Sequence, residues 1–165
     1  VEFRNDVVMP TAVPQVFEFA IEVVGDGSFV MDRVPVRIVV PPDVPTYPPS
    51  RRYWRDHDTT ERCADNERPD WGELSWVAST PSDTSIRFEI RAAQTEADLD
   101  SVTPVTFTDP GRSSPVDVGS LLVSAGVPNF QPHLRVTAVL NSSSDRTASP
   151  TLTSMELRYV CTPTE

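Results

Sequence analysis

Lysine is absent from this 165-residue chain, so all 14 of its basic residues are arginine. They are outnumbered by 24 acidic residues, which gives a formal net charge of -10 at pH 7. A chain of this charge repels nucleic-acid phosphates and the anionic surfaces of membranes. We therefore expect no nucleic-acid partner, whereas the many carboxylates are compatible with calcium.

Long apolar runs are also missing, because no stretch approaches the roughly 20 residues that a membrane-spanning helix needs. No membrane insertion is expected. Glycine is scarce, with 6 residues against 17 prolines. Since proline is excluded from helix interiors and central strand positions, we predict short strands, turns and extended linkers. Val1 falls within a strand-like run, so we expect a mature or excised piece of a longer protein.

Catalytic motifs are nearly lacking. The two histidines, His57 and His133, fall on different predicted elements, and no Gly-x-Ser-x-Gly elbow or glycine-rich phosphate loop is present. The spacings among these histidines and the two cysteines, Cys63 and Cys161, match no zinc motif. The sequence therefore predicts a protein that is not an enzyme.

Residues 1–40 read as three β-strands, with a turn predicted at 25–28. The alternating apolar residues of the second and third strands are Phe17, Phe19, Ile21 and Val23, and Val34, Val36, Ile38 and Val40. Three strands do not close a sandwich, so upstream sequence or another chain is expected to complete them. The proline-rich residues 41–50 are predicted to be a semi-rigid linker and to mark a domain boundary.

Residues 51–165 contain several short runs of alternating apolar and polar residues, separated by turn signals. In the clearest run, residues 84–94, apolar side chains are predicted to face one way and charged ones the other. The apolar set is Ile86, Phe88, Ile90 and Ala92, and the charged set is Arg87, Glu89 and Arg91. Two short helical segments are predicted, capped by Thr95 and Asp117. This pattern predicts an all-β fold, an antiparallel β-sandwich or jelly roll.

A polar cluster over residues 51–65, predicted to be a loop, is the first candidate site. Its carboxylates are ligands of the kind that calcium prefers, and they belong to Asp56, Asp58, Glu61 and Asp65. Four arginines are interspersed with these acids, namely Arg51, Arg52, Arg55 and Arg62. Two interpretations therefore stand: a structural Ca²⁺ that fixes the loop, and a solvated loop whose charges pair with one another.

Trp54 and Trp71 flank this cluster and form the second candidate site. If both rings are exposed, they can stack on the apolar faces of sugar rings. The alternative is burial, since a sandwich of this size usually buries its tryptophans. Trp76 alternates with Leu74 and is expected in the core.

Several short motifs lie between residues 53 and 159. They are Tyr53-Trp54-Arg55-Asp56-x-Asp58, Arg68-Pro69-Asp70-Trp71, Trp76-x-x-x-Thr80-Pro81, Thr84-Ser85-Ile86-x-Phe88 with Arg91-x-Ala93-x-Thr95, and Pro150-x-Leu152 leading into Leu157-x-Tyr159. Together they resemble a domain of large secreted bacterial surface proteins. The layout of residues 51–165 also resembles the galactose-binding, discoidin-like jelly rolls, and residues 1–40 resemble the closing strands of an immunoglobulin-like domain.

The resemblance implies a disulfide between Cys63 and Cys161, because cysteines near the two ends of such jelly rolls are often joined. Free buried thiols are the alternative. It also implies an extracellular or cell-surface location and a non-catalytic interaction module, with glycans or other domains and subunits of a surface assembly as partners. Two alternatives stay open: a structural spacer or assembly subunit completed by neighbouring chains, and an accessory domain of a secreted hydrolase.

Overall fold

The computed structural model describes the backbone of residues 3–4, 15–24 and 30–40, and the whole of residues 46–164. The strands are β1 (Phe3–Arg4), β2 (Gln15–Val24), β3 (Val30–Val40), β4 (Ser50–Asp58), β5 (Glu67–Ser79), β6 (Ser85–Ala93), β7 (Val105–Asp109), β8 (Val116–Asp117), β9 (His133–Asn141) and β10 (Thr151–Pro163). A short 3-10 helix (Glu96–Asp100) and one α-helix, α1 (Val118–Ser124), complete the elements. The predicted all-β class is confirmed.

Two four-stranded antiparallel sheets pack together as a sandwich. The first sheet has the strand order β1-β10-β5-β8, and the second sheet has the order β4-β9-β6-β7. Buried apolar side chains from both sheets form one hydrophobic core. The predicted antiparallel β-sandwich is therefore confirmed.

Strands β2 and β3 form a two-stranded antiparallel sheet of their own. They match the second and third strands predicted for residues 1–40, and their register pairs Phe17 with Ile38. Of the first predicted strand, β1 is described, and it pairs with the start of β10 in the first sheet. The predicted turn at 25–28 and residues 41–45 of the linker lie outside the described residues.

Strand β6 shows how the alternating pattern builds the core. Ile86, Phe88 and Ile90 are fully buried, as the pattern predicts. The Phe88 ring stacks on Phe107 of the neighbouring strand, with 5.1 Å between the centroids. The ring centroid of Trp76, from the first sheet, lies 4.7 Å from that of Phe88, so the expected place of Trp76 in the core is confirmed.

Both helical segments begin at the predicted caps. The Thr95 hydroxyl accepts a hydrogen bond from the N–H of Asp98, and the Asp117 carboxylate accepts one from the N–H of Ser120. At Gly119, α1 comes so close to β5 that a Cβ atom would overlap the carbonyl oxygen of Trp71. None of the helices in the described part of the chain has the length and apolar character needed to span a membrane.

Cys63 and Cys161 form a disulfide bond, which confirms the predicted pairing. The bond joins the turn after β4 to the end of β10, with Cα atoms 5.5 Å apart and a sequence separation of 98. It therefore connects the beginning and the end of the sandwich covalently.

Candidate functional site

The region that was expected to be a polar loop is largely strand β4, at the edge of the second sheet. The loop prediction is corrected here, because β4 pairs with β9 from Ser50 to Asp58. Tyr53 and His57 are partly buried and alternate with exposed residues, so one face of β4 does contact the interior. An edge strand leaves most of its surface in water, and its many charged residues obscure this alternation in the sequence.

Outward-facing side chains of β4, β9 and β6 meet around Trp54. The strand register places Trp54 opposite Thr137, and Thr137 opposite Glu89. Arg52 and Arg87 occupy the neighbouring row, one on each side of β9. Because side chains two positions apart on a strand share a face, these residues form one surface. We call it the Trp54 surface, and it consists of Arg52, Trp54, Arg87, Glu89 and Thr137.

Trp54 is 64% exposed although it lies within a paired strand. Its strand is paired with β9 on both sides of Trp54, from Ser50 to Asp58, so the indole is presented from a regular element. A flat, amphipathic ring of this kind suits stacking against the C–H face of a sugar. Beside it, an apolar cavity of about 180 Å³ opens between β4 and β10, with Tyr53 and Met155 among its lining residues.

Trp71, the other predicted stacking residue, is buried in the core. It is 1% exposed, and its Nε1–H donates a hydrogen bond of 2.8 Å to the carbonyl oxygen of Gln131. The ring packs against Tyr159, with 5.2 Å between the centroids. The prediction that Trp54 and Trp71 together stack on sugar rings is therefore corrected, because of the two only Trp54 is exposed. The physical reason is that Trp71 faces inward on β5, an inner strand of the first sheet.

Glu89 is the buried charge of the Trp54 surface, with a side chain that is only 4% exposed. Its Oε1 accepts hydrogen bonds from Arg52 and Arg87, both with N···O distances of 2.8 Å. Its Oε2 lies 3.5 Å from Nη1 of Arg91 but accepts no hydrogen bond. These guanidinium groups compensate for burying a carboxylate, which is costly when unpaired. The alternating sequence pattern predicts that Glu89 faces away from the core. It does not predict that arginine side chains bury the carboxylate on that face.

Asp56 and Asp58, two of the predicted calcium ligands, are bound by donors of the protein itself. Arg135 donates two hydrogen bonds to Asp56, of 2.6 and 2.9 Å, and these lower the pKa of Asp56. Asp58 accepts hydrogen bonds from the backbone N–H and the hydroxyl of Thr60, which lower the pKa of Asp58. Both carboxylates are therefore charged and hydrogen-bonded at neutral pH.

Glu61 and Asp65 are exposed in the turns that follow β4. Among the described residues, no group of three or more His, Cys, Asp or Glu side chains is placed to hold a metal ion. The structure thus does not gather the four predicted calcium ligands. Asp56 does form an ion pair, but its partner is Arg135 of β9, outside the cluster of residues 51–65 in which the pairing was expected.

A cavity of about 290 Å³ lies on the inner side of β4, with Arg55, His57 and Tyr159 among its lining residues. Burial lowers the pKa of His57, and the positive charge of Arg55 acts in the same direction. His57 is therefore neutral at pH 7. His133 is paired with Asp58 in the register and lies on the opposite face of the sheet, so the two histidines do not converge.

A larger cavity, of about 550 Å³, lies between α1 and the first sheet. Asp70, Glu73 and Asp117 line it, together with the exposed Val123. Asp70 accepts a hydrogen bond of 2.7 Å from Asn129, and Asp117 caps α1. Two of the three carboxylates thus have a structural role, and the Trp54 surface is the stronger candidate site.

Comparison with known proteins finds no family model that matches the chain and no curated protein that is significantly similar to it. The class defined by the fold is an antiparallel β-sandwich closed by a disulfide. A sandwich of this kind supports many unrelated functions, so the functional inference depends on the Trp54 surface and not on the fold.

Proposed function

We propose that this chain is a non-catalytic interaction module of an extracellular or cell-surface protein, and that it binds glycans through the Trp54 surface. The observation that carries the proposal is the 64% exposure of Trp54 on a paired strand. An exposed tryptophan provides a large apolar contact area at a small cost in conformational entropy, because it has few rotatable bonds. Arg52, two positions from Trp54 on β4, and Arg87, which shares Glu89 with Arg52, add hydrogen-bond donors to the same surface.

Two further features support the proposed setting. A disulfide persists in oxidising compartments such as the cell exterior, and Cys63–Cys161 is such a bond. The motifs of residues 53–159 resemble a domain of secreted bacterial surface proteins, and their layout resembles galactose-binding, discoidin-like jelly rolls. In this proposal, the polar side chains around Trp54 provide orientation and the ring provides stacking.

The test is a calorimetric titration of the full chain with a panel of neutral and uronic-acid oligosaccharides. Trp54→Ala should weaken binding by about tenfold or more, because the stacking contact is lost. Val160→Ala is the matched control, since Val160 is an exposed apolar residue of the first sheet. Equal affinities of Trp54→Ala and the unaltered chain for every ligand of the panel would contradict the proposed site.

A second candidate function, assembly with neighbouring chains, is favoured by β2 and β3. Among the described strands, these two pair only with each other. Two strands alone seldom form a stable structure in water, and their unpaired edges can accept a further strand. In light scattering, the assembly function predicts a molecular mass that rises with concentration, whereas a monomer at all concentrations would exclude self-assembly.

A further inference from the structure

The Trp54 surface holds more positive than negative charge, although the chain as a whole carries a net charge of -10. Three guanidinium groups surround the single carboxylate of Glu89, from Arg52, Arg87 and Arg91. Within the Trp54 surface itself, the two positive charges of Arg52 and Arg87 and the one negative charge of Glu89 leave an excess of one positive charge. Such an excess on an acidic protein favours an anionic ligand at this place.

Two of these arginines are held close together and stay accessible to solvent. The Nη2 atoms of Arg52 and Arg87 both lie 2.8 Å from Oε1 of Glu89, so they are at most twice that distance apart. Their side chains are 55% and 46% exposed. Glu89 therefore orients two guanidinium groups toward the same place while part of each faces water. Like charges at this separation repel each other, and a second anion between them would be stabilised.

Arg135, on the same face of the sheet, provides an internal comparison. Its guanidinium group is hydrogen-bonded to two carboxylates, Asp56 and Asp100. That cluster has no excess of positive charge. Arg52 and Arg87 differ from it because they share one carboxylate oxygen and together carry one more charge than that carboxylate neutralises.

The aromatic ring and one arginine of the pair are neighbours on β4, and the second arginine meets the first at Glu89. Arg52 and Trp54 are two positions apart on β4 and share a face, and Thr137 lies between Trp54 and Glu89 in the register. A sugar ring stacked on Trp54 would therefore bring a substituent near the guanidinium groups. The planar guanidinium fork matches a carboxylate in geometry and forms charge-assisted hydrogen bonds with it.

We infer that Arg52 and Arg87 bind the carboxylate of a uronic-acid sugar whose ring stacks on Trp54. The inference rests on the proposed glycan-binding function and specifies its ligand as an acidic glycan. Glu89 is a positioning residue, because it acts on the ligand only through the two arginines. Arg91 is more buried, with a side chain that is 19% exposed, and its Nη1 lies 3.5 Å from the other carboxylate oxygen of Glu89.

The experiment compares each acidic ligand with a neutral counterpart of the same linkage. The full chain is titrated with oligomers of galacturonate, mannuronate and hyaluronan, and with the carboxyl-reduced form of each. At least one acidic oligomer should bind at least about tenfold more tightly than its reduced form, as loss of a charge-assisted hydrogen bond implies. Affinity for that oligomer should also fall as salt is added.

Variants then assign the contact to individual residues. Arg52→Gln and Arg87→Gln should each weaken binding of the acidic oligomer by about tenfold and should weaken binding of the reduced form much less, because only the acidic form loses a charge-assisted hydrogen bond. Arg112→Gln is the control, because it removes the same charge from an exposed residue outside the Trp54 surface. The guanidinium and indole NMR signals of Arg52, Arg87 and Trp54 in the unaltered chain should shift during the titration, a readout that needs no variant to fold.

A separate readout tests the positioning role of Glu89. Glu89→Gln adds one net positive charge to the surface, yet it should weaken binding of the acidic oligomer because the two arginines lose their common anchor. Tighter binding would show that charge alone matters and would overturn the role of Glu89.

The outcomes separate the inference from the proposed function. Equal affinity for acidic and reduced oligomers, with loss only in Trp54→Ala, would overturn the acidic-glycan inference and leave glycan binding in place. Absence of binding to every oligomer, with no shift of the three NMR signals, would overturn both.

Discussion

Neighbouring residues of β6 face the core and the solvent in turn, so substitutions at adjacent positions should change the free energy of unfolding by different amounts. Phe88 is fully buried between Trp76 and Phe107. Arg87 points outward, and its side chain is 46% exposed. From the sequence pattern alone, we expect substitution of Arg87 to be almost neutral. The structure changes that expectation, because Arg87 is a hydrogen-bond partner of the buried Glu89.

Substitution of these two residues tests this reading of β6. Phe88→Ala should lower the free energy of unfolding by about 3–5 kcal/mol, because it leaves a cavity in the core. Arg87→Ala should lower it by only about 1 kcal/mol, since the ion pair is partly screened by water and Arg52 still bonds to the same oxygen. Urea denaturation measures both changes. Equal losses for the two variants would show that the faces of β6 are assigned wrongly.

His57 should make the stability depend on pH in a defined window. Because the pKa of His57 is lowered in the folded chain, the unfolded chain binds its proton more readily. The contribution of neutral His57 to the free energy of unfolding should thus be fully present above the unfolded pKa of about 6.5. It should be lost progressively as the pH decreases below that value. The pKa values of Asp56 and Asp58 are also lowered in the folded chain, so their contribution to stability should be lost only at more acidic pH, below about pH 4.

Urea denaturation at several pH values between 7.5 and 5 would measure the His57 contribution. The same series on His57→Gln is the control, because glutamine does not titrate. We expect a smaller loss of stability in the variant over this window. If both proteins lose stability equally, His57 is not the group responsible.

At the scale of elements, the contact of α1 with β5 depends on one small residue. Gly119 leaves no room for a Cβ atom against the carbonyl of Trp71. Gly119→Ala should therefore destabilise the chain, although alanine favours an exposed helix by about 1 kcal/mol over glycine. Val123→Ala, on the exposed side of α1, is the control and should have little effect. Thermal melting distinguishes the outcomes, and a raised melting temperature for Gly119→Ala would contradict the close approach.

At the scale of the whole molecule, the disulfide closes the sandwich across 98 positions of sequence. In the chain-entropy description, a loop of this length contributes about 4–5 kcal/mol by restricting the unfolded chain. Denaturation with and without reductant should reveal a loss of this order. The double variant Cys63→Ser/Cys161→Ser should behave like the reduced chain and should not respond to reductant. Labelling of the denatured, unreduced chain should detect no free thiol.

The sequence by itself determined the fold class, the core face of β6 and the helix caps, because these follow from local periodicity and capping chemistry. Ile86, Phe88 and Ile90 are buried as their spacing predicts. The tertiary structure alone decided which polar and aromatic residues meet at the candidate site. Arg52 and Glu89 are 37 positions apart, and strand order brings them together through β9. Period-two alternation indicates the face of a strand, but it does not indicate which distant side chains cover that face.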